Sequence, residues 1–138
     1  MSKKVLLVDD SASTLMMEEM ILKHLTPYQC VTAMDGLDAL ALALAEPPDL
    51  ILMDAVMPRM NGYETCQTMR RERALRDTPI ILVTTTEEEN YMEAGFQSGC
   101  NDYITKPVDY RQMLSVLRRY LEGEKAPVIR LHGGLLPQ

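Results

Sequence analysis

Leu50-Ile51-Leu52-Met53-Asp54 is the stretch whose reading decides the fold of this chain. Four apolar residues in a row match a short strand buried on both faces, as in a parallel sheet covered by helices. The run ends in a carboxylate, and in open α/β sheets ligands bind at the carboxyl edge of the strands. Ala55-Val56-Met57-Pro58 follows, and then the turn Asn61-Gly62. Alone, Asp54 reads equally well as a cap on the next helix. Two further strands change that balance.

On the N-terminal side, Val5-Leu6-Leu7-Val8 is a second run of the same kind, ending in Asp9-Asp10. Ser11-Ala12-Ser13-Thr14 is a good helix start, and the helix predicted there runs to about Leu25, with Met17, Met20, Ile21 and His24 on one face. His24 reads as a boundary residue of that helix rather than a ligand, and Thr26-Pro27 stops it. Gln29 to Ala33 is the next strand, and Asp35-Gly36 turns the chain. Leu37, Leu40, Ala41 and Leu44 mark a short second helix that ends at Pro47-Pro48.

On the C-terminal side, Asn61-Gly62 opens a third helix with Cys66 and Met69 inward. It finishes in Arg70-Arg71-Glu72-Arg73, read as a solvated face. Ile80-Ile81-Leu82-Val83 is the fourth strand, running into Thr84-Thr85-Thr86. Glu87-Glu88-Glu89 suits the N-terminus of a fourth helix, with Tyr91, Met92 and Phe96 in it and Gly99 closing it. Asp102 to Thr105 is a fifth strand, followed by Lys106-Pro107. Asp109 caps a fifth helix with the stripe Tyr110, Met113, Leu114, Leu117 and Leu121, and Gly123 ends it.

Five βα repeats imply a parallel sheet with right-handed crossovers and helices on both faces. The expected fold is α/β, a doubly wound, flavodoxin-like five-stranded parallel sheet in the order 2-1-3-4-5. Residues 1–123 form one domain on this reading. Residues 124–138 form a flexible tail, although Val128, Ile129, Leu131, Leu135 and Leu136 leave a docking peptide or a linker open.

Composition narrows the function classes. The chain has 138 residues, 46% hydrophobic and 25% charged, enough for one sizeable core. A net charge of −6 argues against direct nucleic-acid binding, which needs a basic face. Cys30, Cys66 and Cys100 are odd in number and widely spaced, so reduced thiols in the cytoplasm are expected rather than a disulfide framework or zinc site. The first apolar run is too short for a signal peptide or a membrane span.

The strand ends carry the chemistry. Asp9 and Asp10 end the first strand, Asp54 the third, Thr84 the fourth and Lys106 follows the fifth. In the expected strand order these side chains converge on one shallow pocket. Three carboxylates repel one another, and a hard divalent cation such as Mg²⁺ resolves this while keeping a site open for a phosphate oxygen. Lys106 adds a fixed cation and Thr84 a hydroxyl donor. This is equipment for in-line phosphoryl transfer onto a carboxylate.

With these residues in place, the chain resembles the receiver domain of two-component response regulators, over roughly residues 2 to 123. The matching motifs are Val8-Asp9-Asp10-Ser11, Asp35-Gly36, Asp54 with Met57-Pro58-x-Met60-Asn61-Gly62, Thr84, and Tyr103-Ile104-Thr105-Lys106-Pro107. The resemblance implies that Asp54 takes a phosphoryl group from a histidine kinase or phosphotransfer protein. It implies Mg²⁺ held by Asp10, Asp54 and the Val56 backbone carbonyl, with Asp9 acting mainly through water. Lys106 would contact a phosphoryl oxygen, Thr84 would move to hydrogen-bond the phosphoryl group, and the Thr85 N–H could assist. Tyr103 would swing inward behind Thr84, reshaping a docking face built from the fourth helix, fifth strand and fifth helix, with Tyr91, Tyr110 and Arg111 on it. The Lys106-Pro107 bond is expected to be cis.

Val56 and Thr85 depart from the family's commoner polar and small residues at these positions. Both flank the path of an attacking water, so an altered acyl-phosphate lifetime is expected, of either sign. No output domain is expected after Gly123, so signalling would pass through protein–protein contact. Chemotaxis or motility signalling and a phosphorelay shuttle fit equally well. Two other classes compete. A flavin module of similar topology would need a phosphate loop, but Ser11-Ala12-Ser13-Thr14 lacks glycine. A Mg²⁺ phosphohydrolase would usually carry its nucleophile in an Asp-x-Asp after the first strand, where this chain has Ser11-Ala12 after the acidic pair.

Overall fold

The computed structural model describes residues 2–85 and 97–123. The fourth helix expected from sequence, with Thr86, Glu87 to Glu89, Tyr91, Met92 and Phe96, lies outside the described residues, as does the tail 124–138. The described elements are β1 (Lys4–Val8), α1 (Ala12–Leu25), β2 (Gln29–Ala33), α2 (Gly36–Ala45), β3 (Leu50–Asp54), α3 (Gly62–Arg70), a 3₁₀ turn (Arg73–Leu75), β4 (Ile80–Thr84), β5 (Asp102–Thr105) and α4 (Tyr110–Glu122). The strands form one parallel sheet in the order β2-β1-β3-β4-β5.

Alternation along the strands splits the core in two. Val5, Leu7, Leu52, Val83 and Ile104 pack on one face against Leu15 and Leu22 of α1 and Met113 and Leu117 of α4. Leu6, Val8, Ile51, Met53 and Leu82 pack on the other against α2 and α3. Side chains that alternate at period two must serve both faces of a covered parallel sheet, so every residue of β3 is buried. The register pairs Val8 with Met53, Asp54 with Val83, and Thr84 with Thr105. The functional ends of these strands therefore lie side by side.

Three helix faces differ from the sequence expectation. In α1 the buried residues are Leu15, Glu18 and Leu22, while Met16, Met17, Met20 and His24 face solvent. The helix is apolar on both sides, so periodicity cannot choose the inward one. In α2 the buried residues are Gly36, Ala39 and Ala43, and Leu37 and Leu44 are exposed. The helix sits too close for leucines: a Cβ at Gly36 would lie 2.1 Å from Thr65 Oγ1 and 2.8 Å from the Met60 carbonyl oxygen. In α4, Tyr110 is exposed rather than part of the inward stripe.

Arg70 is also not a solvated residue. Its Nε donates to the Gly99 carbonyl at 2.9 Å, Nη1 to the carbonyls of Leu75 and Thr78 at 2.8 and 2.7 Å, and Nη2 to Asn101 Oδ1 at 2.8 Å. Asn101 Oδ1 also accepts the Ile80 N–H at 2.8 Å. One guanidinium thus ties the end of α3 to the entrances of β4 and β5. Arg70→Ala should lower stability by about 2–3 kcal/mol, because it strands several part-buried acceptors. With no tryptophan in the chain, the measurement is urea denaturation followed by far-UV circular dichroism; an unchanged midpoint would contradict this account.

Candidate functional site

β3 delivers Asp54 to the sheet edge, where it is 5% exposed. Its Oδ1 accepts the Val56 N–H at 3.1 Å, and its Oδ2 accepts from Lys106 Nζ at 3.1 Å. Asp9, at the end of β1 and 2% exposed, accepts the Ser11 N–H at 2.8 Å and lies 3.7 Å from the same ammonium. Asp10 is exposed beside them. Carboxylate oxygens of Asp9, Asp10 and Asp54 lie within 4.8 Å of one another. Lys106 reaches the pocket from the turn after β5, through a cis bond to Pro107, as expected, and its N–H donates to the Thr84 carbonyl at 2.6 Å.

The electrostatics follow from this crowding. Burial raises the Asp54 carboxyl above its ordinary range, against the pull of the Val56 N–H and Lys106; Asp10 raises it further. Burial also raises Asp9, opposed by the Ser11 N–H and helped by the charge on Asp54. For Lys106, burial opposes the charge, but the three aspartates outweigh it and raise its pKa. One ammonium faces three carboxylates. An all-oxygen donor set with surplus negative charge suits a hard divalent cation that retains waters, and Mg²⁺ fits it.

Thr84 ends β4 and is 3% exposed, and its buried Oγ1 has no hydrogen-bond partner among the described residues. A buried hydroxyl without a partner is costly unless a ligand or a second conformation satisfies it. Thr85 follows at the surface edge. Tyr103 is buried in β5, two residues before Thr105, the residue paired with Thr84. Val56 uses its N–H on Asp54 while its side chain faces solvent. The Ser11 N–H is engaged by Asp9, and the Ser11 hydroxyl accepts the Thr14 N–H as the N-cap of α1.

Glu18 escaped the sequence reasoning. It lies on the inner face of α1 between Leu15 and Leu22, is 2% exposed, and burial pushes its carboxyl up to about 8, with the charge of Asp9 adding to the rise. The spacing Leu15-x-x-Glu18-x-x-x-Leu22 was the available signal, masked by the richer methionine face opposite. The cysteines are unpaired. Burial pushes Cys30 up to about 11 and Cys100 up to about 12, so neither is a thiolate at neutral pH. Among the described residues no helix is long and apolar enough to cross a membrane.

Comparison with known proteins agrees with this geometry. The model of the response regulator receiver domain matches residues 5–118. PilH of Pseudomonas aeruginosa is 36% identical over 121 residues, covering 87% of this chain and 98% of PilH. The transcriptional regulator RpaA of Synechocystis is 32% identical over 136 residues, which is 98% of this chain but 56% of RpaA. Among solved structures, the chemotaxis response regulator CheY4 of Vibrio cholerae superposes with a TM-score of 0.82 at 34% identity, covering 88% of this chain and all of CheY4. The receiver domain of the sensor histidine kinase PA1611 from Pseudomonas aeruginosa, solved with a magnesium ion in its active-site cleft, gives 0.81 at 30% identity, over 88% of this chain and 99% of that one. Receiver domains are signalling modules that bind Mg²⁺ at an acidic pocket and work with histidine kinases or phosphotransfer proteins. The shared fold, the matched length and the acid pocket together place this chain in the response regulator receiver domain family of two-component systems.

Proposed function

We propose that Asp54 is the phosphoryl acceptor of a receiver that signals by protein–protein contact. The observation that carries this reading is the convergence of Asp9, Asp10 and Asp54 on the Lys106 ammonium at the ends of β1, β3 and β5. The donor is a phosphohistidine of a kinase or phosphotransfer protein. An Asp54 oxygen bonds to phosphorus as the phosphorus–nitrogen bond breaks, and the departing imidazole keeps the electron pair and takes up a proton. Asp10, Asp54 and the Val56 carbonyl would hold Mg²⁺, with Asp9 acting mainly through water. When bound, the ion neutralises charge on the transferring oxygens.

Lys106 is placed to stay on Asp54 before transfer and on a phosphoryl oxygen after it. Thr84 Oγ1, without a partner among the described residues, gains an acceptor when the phosphoryl group arrives, and the Thr85 N–H adds a second donor. That shift opens space beside Tyr103 and favours a second arrangement of the surface formed by β5 and the C-terminal helix. Tyr110 and Arg111, whose guanidinium lies 6.0 Å from the Tyr110 ring centroid, belong to that surface. The protein promotes its own Mg²⁺-dependent phosphorylation and dephosphorylation rather than turning over a separate substrate. Residues 1–123 are the receiver, 124–138 a tail outside it, and the site of action is the cytoplasm. Similarity to the chemotaxis response regulator CheY4 supports chemotaxis signalling as the setting.

Incubation with acetyl phosphate and Mg²⁺ followed by intact mass spectrometry tests the acceptor. Wild type should gain one phosphoryl group and Asp54→Ala none. An Asp54→Ala chain that gains the same adduct, or a wild type that gains none, overturns the reading.

A further inference from the structure

The loop between β3 and α3 carries Val56, and it is closed on itself. The Gly62 N–H donates to the Ala55 carbonyl at 2.8 Å, and a Cβ at Gly62 would lie 2.5 Å from the Asp54 carbonyl oxygen. At the outer tip of this loop stands Arg59 with φ of 67°, the only non-glycine residue at positive φ among the described residues. That conformation is unfavourable for a residue with a side chain, and glycine would adopt it freely. Arginine at this position is therefore locally unfavourable unless its side chain compensates.

The side chain has a specific partner. The Arg59 guanidinium donates to Asp35 Oδ2. Asp35 is held in place as the N-cap of α2, its Oδ1 accepting the Asp38 N–H at 2.8 Å. The Asp38 N–H and Arg59 together hold the Asp35 carboxyl below its usual range. One residue on, Gly36 presses α2 against the Met60 carbonyl and Thr65. The start of α2 thus forms a fixed post, and Arg59 ties the tip of the pocket loop to it.

We propose that Arg59 and Asp35 form an electrostatic latch that positions the Ala55–Gly62 loop, and with it the Val56 carbonyl, for divalent-cation binding at the acid pocket. The latch rests on the receiver-site reading above and assigns regulation of that site to an ion pair that supplies none of its reacting atoms or cation ligands. Arg59 and Asp35 are positioning residues. Loss of the pair lets the loop tip relax and weakens the cation site without removing any ligand.

Two substitutions separate positioning from stability. Asp35→Asn keeps an equally good N-cap but removes the charge. Arg59→Gly removes the ion pair while relieving the backbone. A purely structural role predicts near-neutral or stabilising effects for both. The latch predicts weaker Mg²⁺ binding in folded, stable proteins. The measurement is the rise in melting midpoint with graded Mg²⁺, by circular dichroism and without any phosphodonor, since binding to the folded state raises stability with ligand concentration. The Mg²⁺ Kd fitted to that rise should move up about threefold to fivefold in both variants, the range open to an exposed pair. Arg59→Lys should stay within about twofold of wild type, and 0.5 M NaCl should shrink the gap by screening the pair. The Mg²⁺ concentration for half-maximal acetyl-phosphate adduct should shift by the same factor. Variants that match wild type in fitted Mg²⁺ Kd overturn the latch alone. A wild-type midpoint that ignores Mg²⁺ overturns the receiver-site reading and the latch with it.

Discussion

Glu18→Gln should stabilise the protein at pH 9 by on the order of 3–5 kcal/mol and leave stability at pH 4.5 nearly unchanged. The carboxyl sits in the apolar inner face of α1, and burial, with the Asp9 and Asp54 charges behind it, raises it from 4.5 to about 8; only Lys106 pulls the other way. A carboxyl whose folded-state pKa is raised binds its proton more tightly when folded. Its contribution is therefore fully present below pH 4.5 and is lost as pH rises toward 8. Each tenfold gain in proton affinity on folding is worth about 1.4 kcal/mol. Glutamine keeps the shape and cannot ionise, so it removes the slope. Urea midpoints of both proteins at pH 4.5 and 9, without Mg²⁺, give the comparison. A gap between variant and wild type that is the same at both pH values would show that Glu18 does not carry a buried proton.

Lys106→Met should slow acetyl-phosphate adduct formation by about 10²-fold, the usual cost of losing one donor aimed at developing charge. The same substitution leaves Asp54 and Asp9 without the ammonium now 3.1 and 3.7 Å away. At neutral pH the protein should lose roughly 1–3 kcal/mol, since breaking a partly buried pair strands the remaining charge. Acid should relieve that loss by protonating the aspartates. Mg²⁺ should restore stability but not the rate, because the cation replaces the missing charge and not the donor's position. Recovery of both by Mg²⁺ would mean that Lys106 acts only as bulk charge. No change in either would remove Lys106 from the site.

The pocket and the fold were readable for related reasons. A parallel α/β sheet collects its strand ends on one edge, so Asp9, Asp54 and Thr84 could be placed together as soon as their apolar runs were recognised as strands. The same runs, Val5–Val8, Leu50–Met53 and Ile80–Val83, make up the buried centre of the sheet. Helix starts followed from residue chemistry: Ser11, Asn61 and Asp109 accept backbone N–H groups where helices were expected to begin, and Asp35, read as a turn, caps α2 as well.

What remained hidden depends on which side of a helix meets the sheet and on contacts between residues far apart in sequence. α1 carries methionines on one side and leucines on the other, and only packing against β1 and α4 shows that Leu15, Glu18 and Leu22 turn inward. α2 has leucines all around, and its close approach at Gly36, Ala39 and Ala43 decides the buried side. Arg70 looked like one of a run of charges until the carbonyls of Leu75, Thr78 and Gly99 were brought to it. Local pattern thus determined the strands and the acids at their ends, because hydrophobic periodicity and capping act within a few residues. Only the tertiary structure decided the buried proton at Glu18, the Arg70 tie and the Arg59–Asp35 pair, because burial and electrostatic partnership belong to the packed chain and not to any stretch of it.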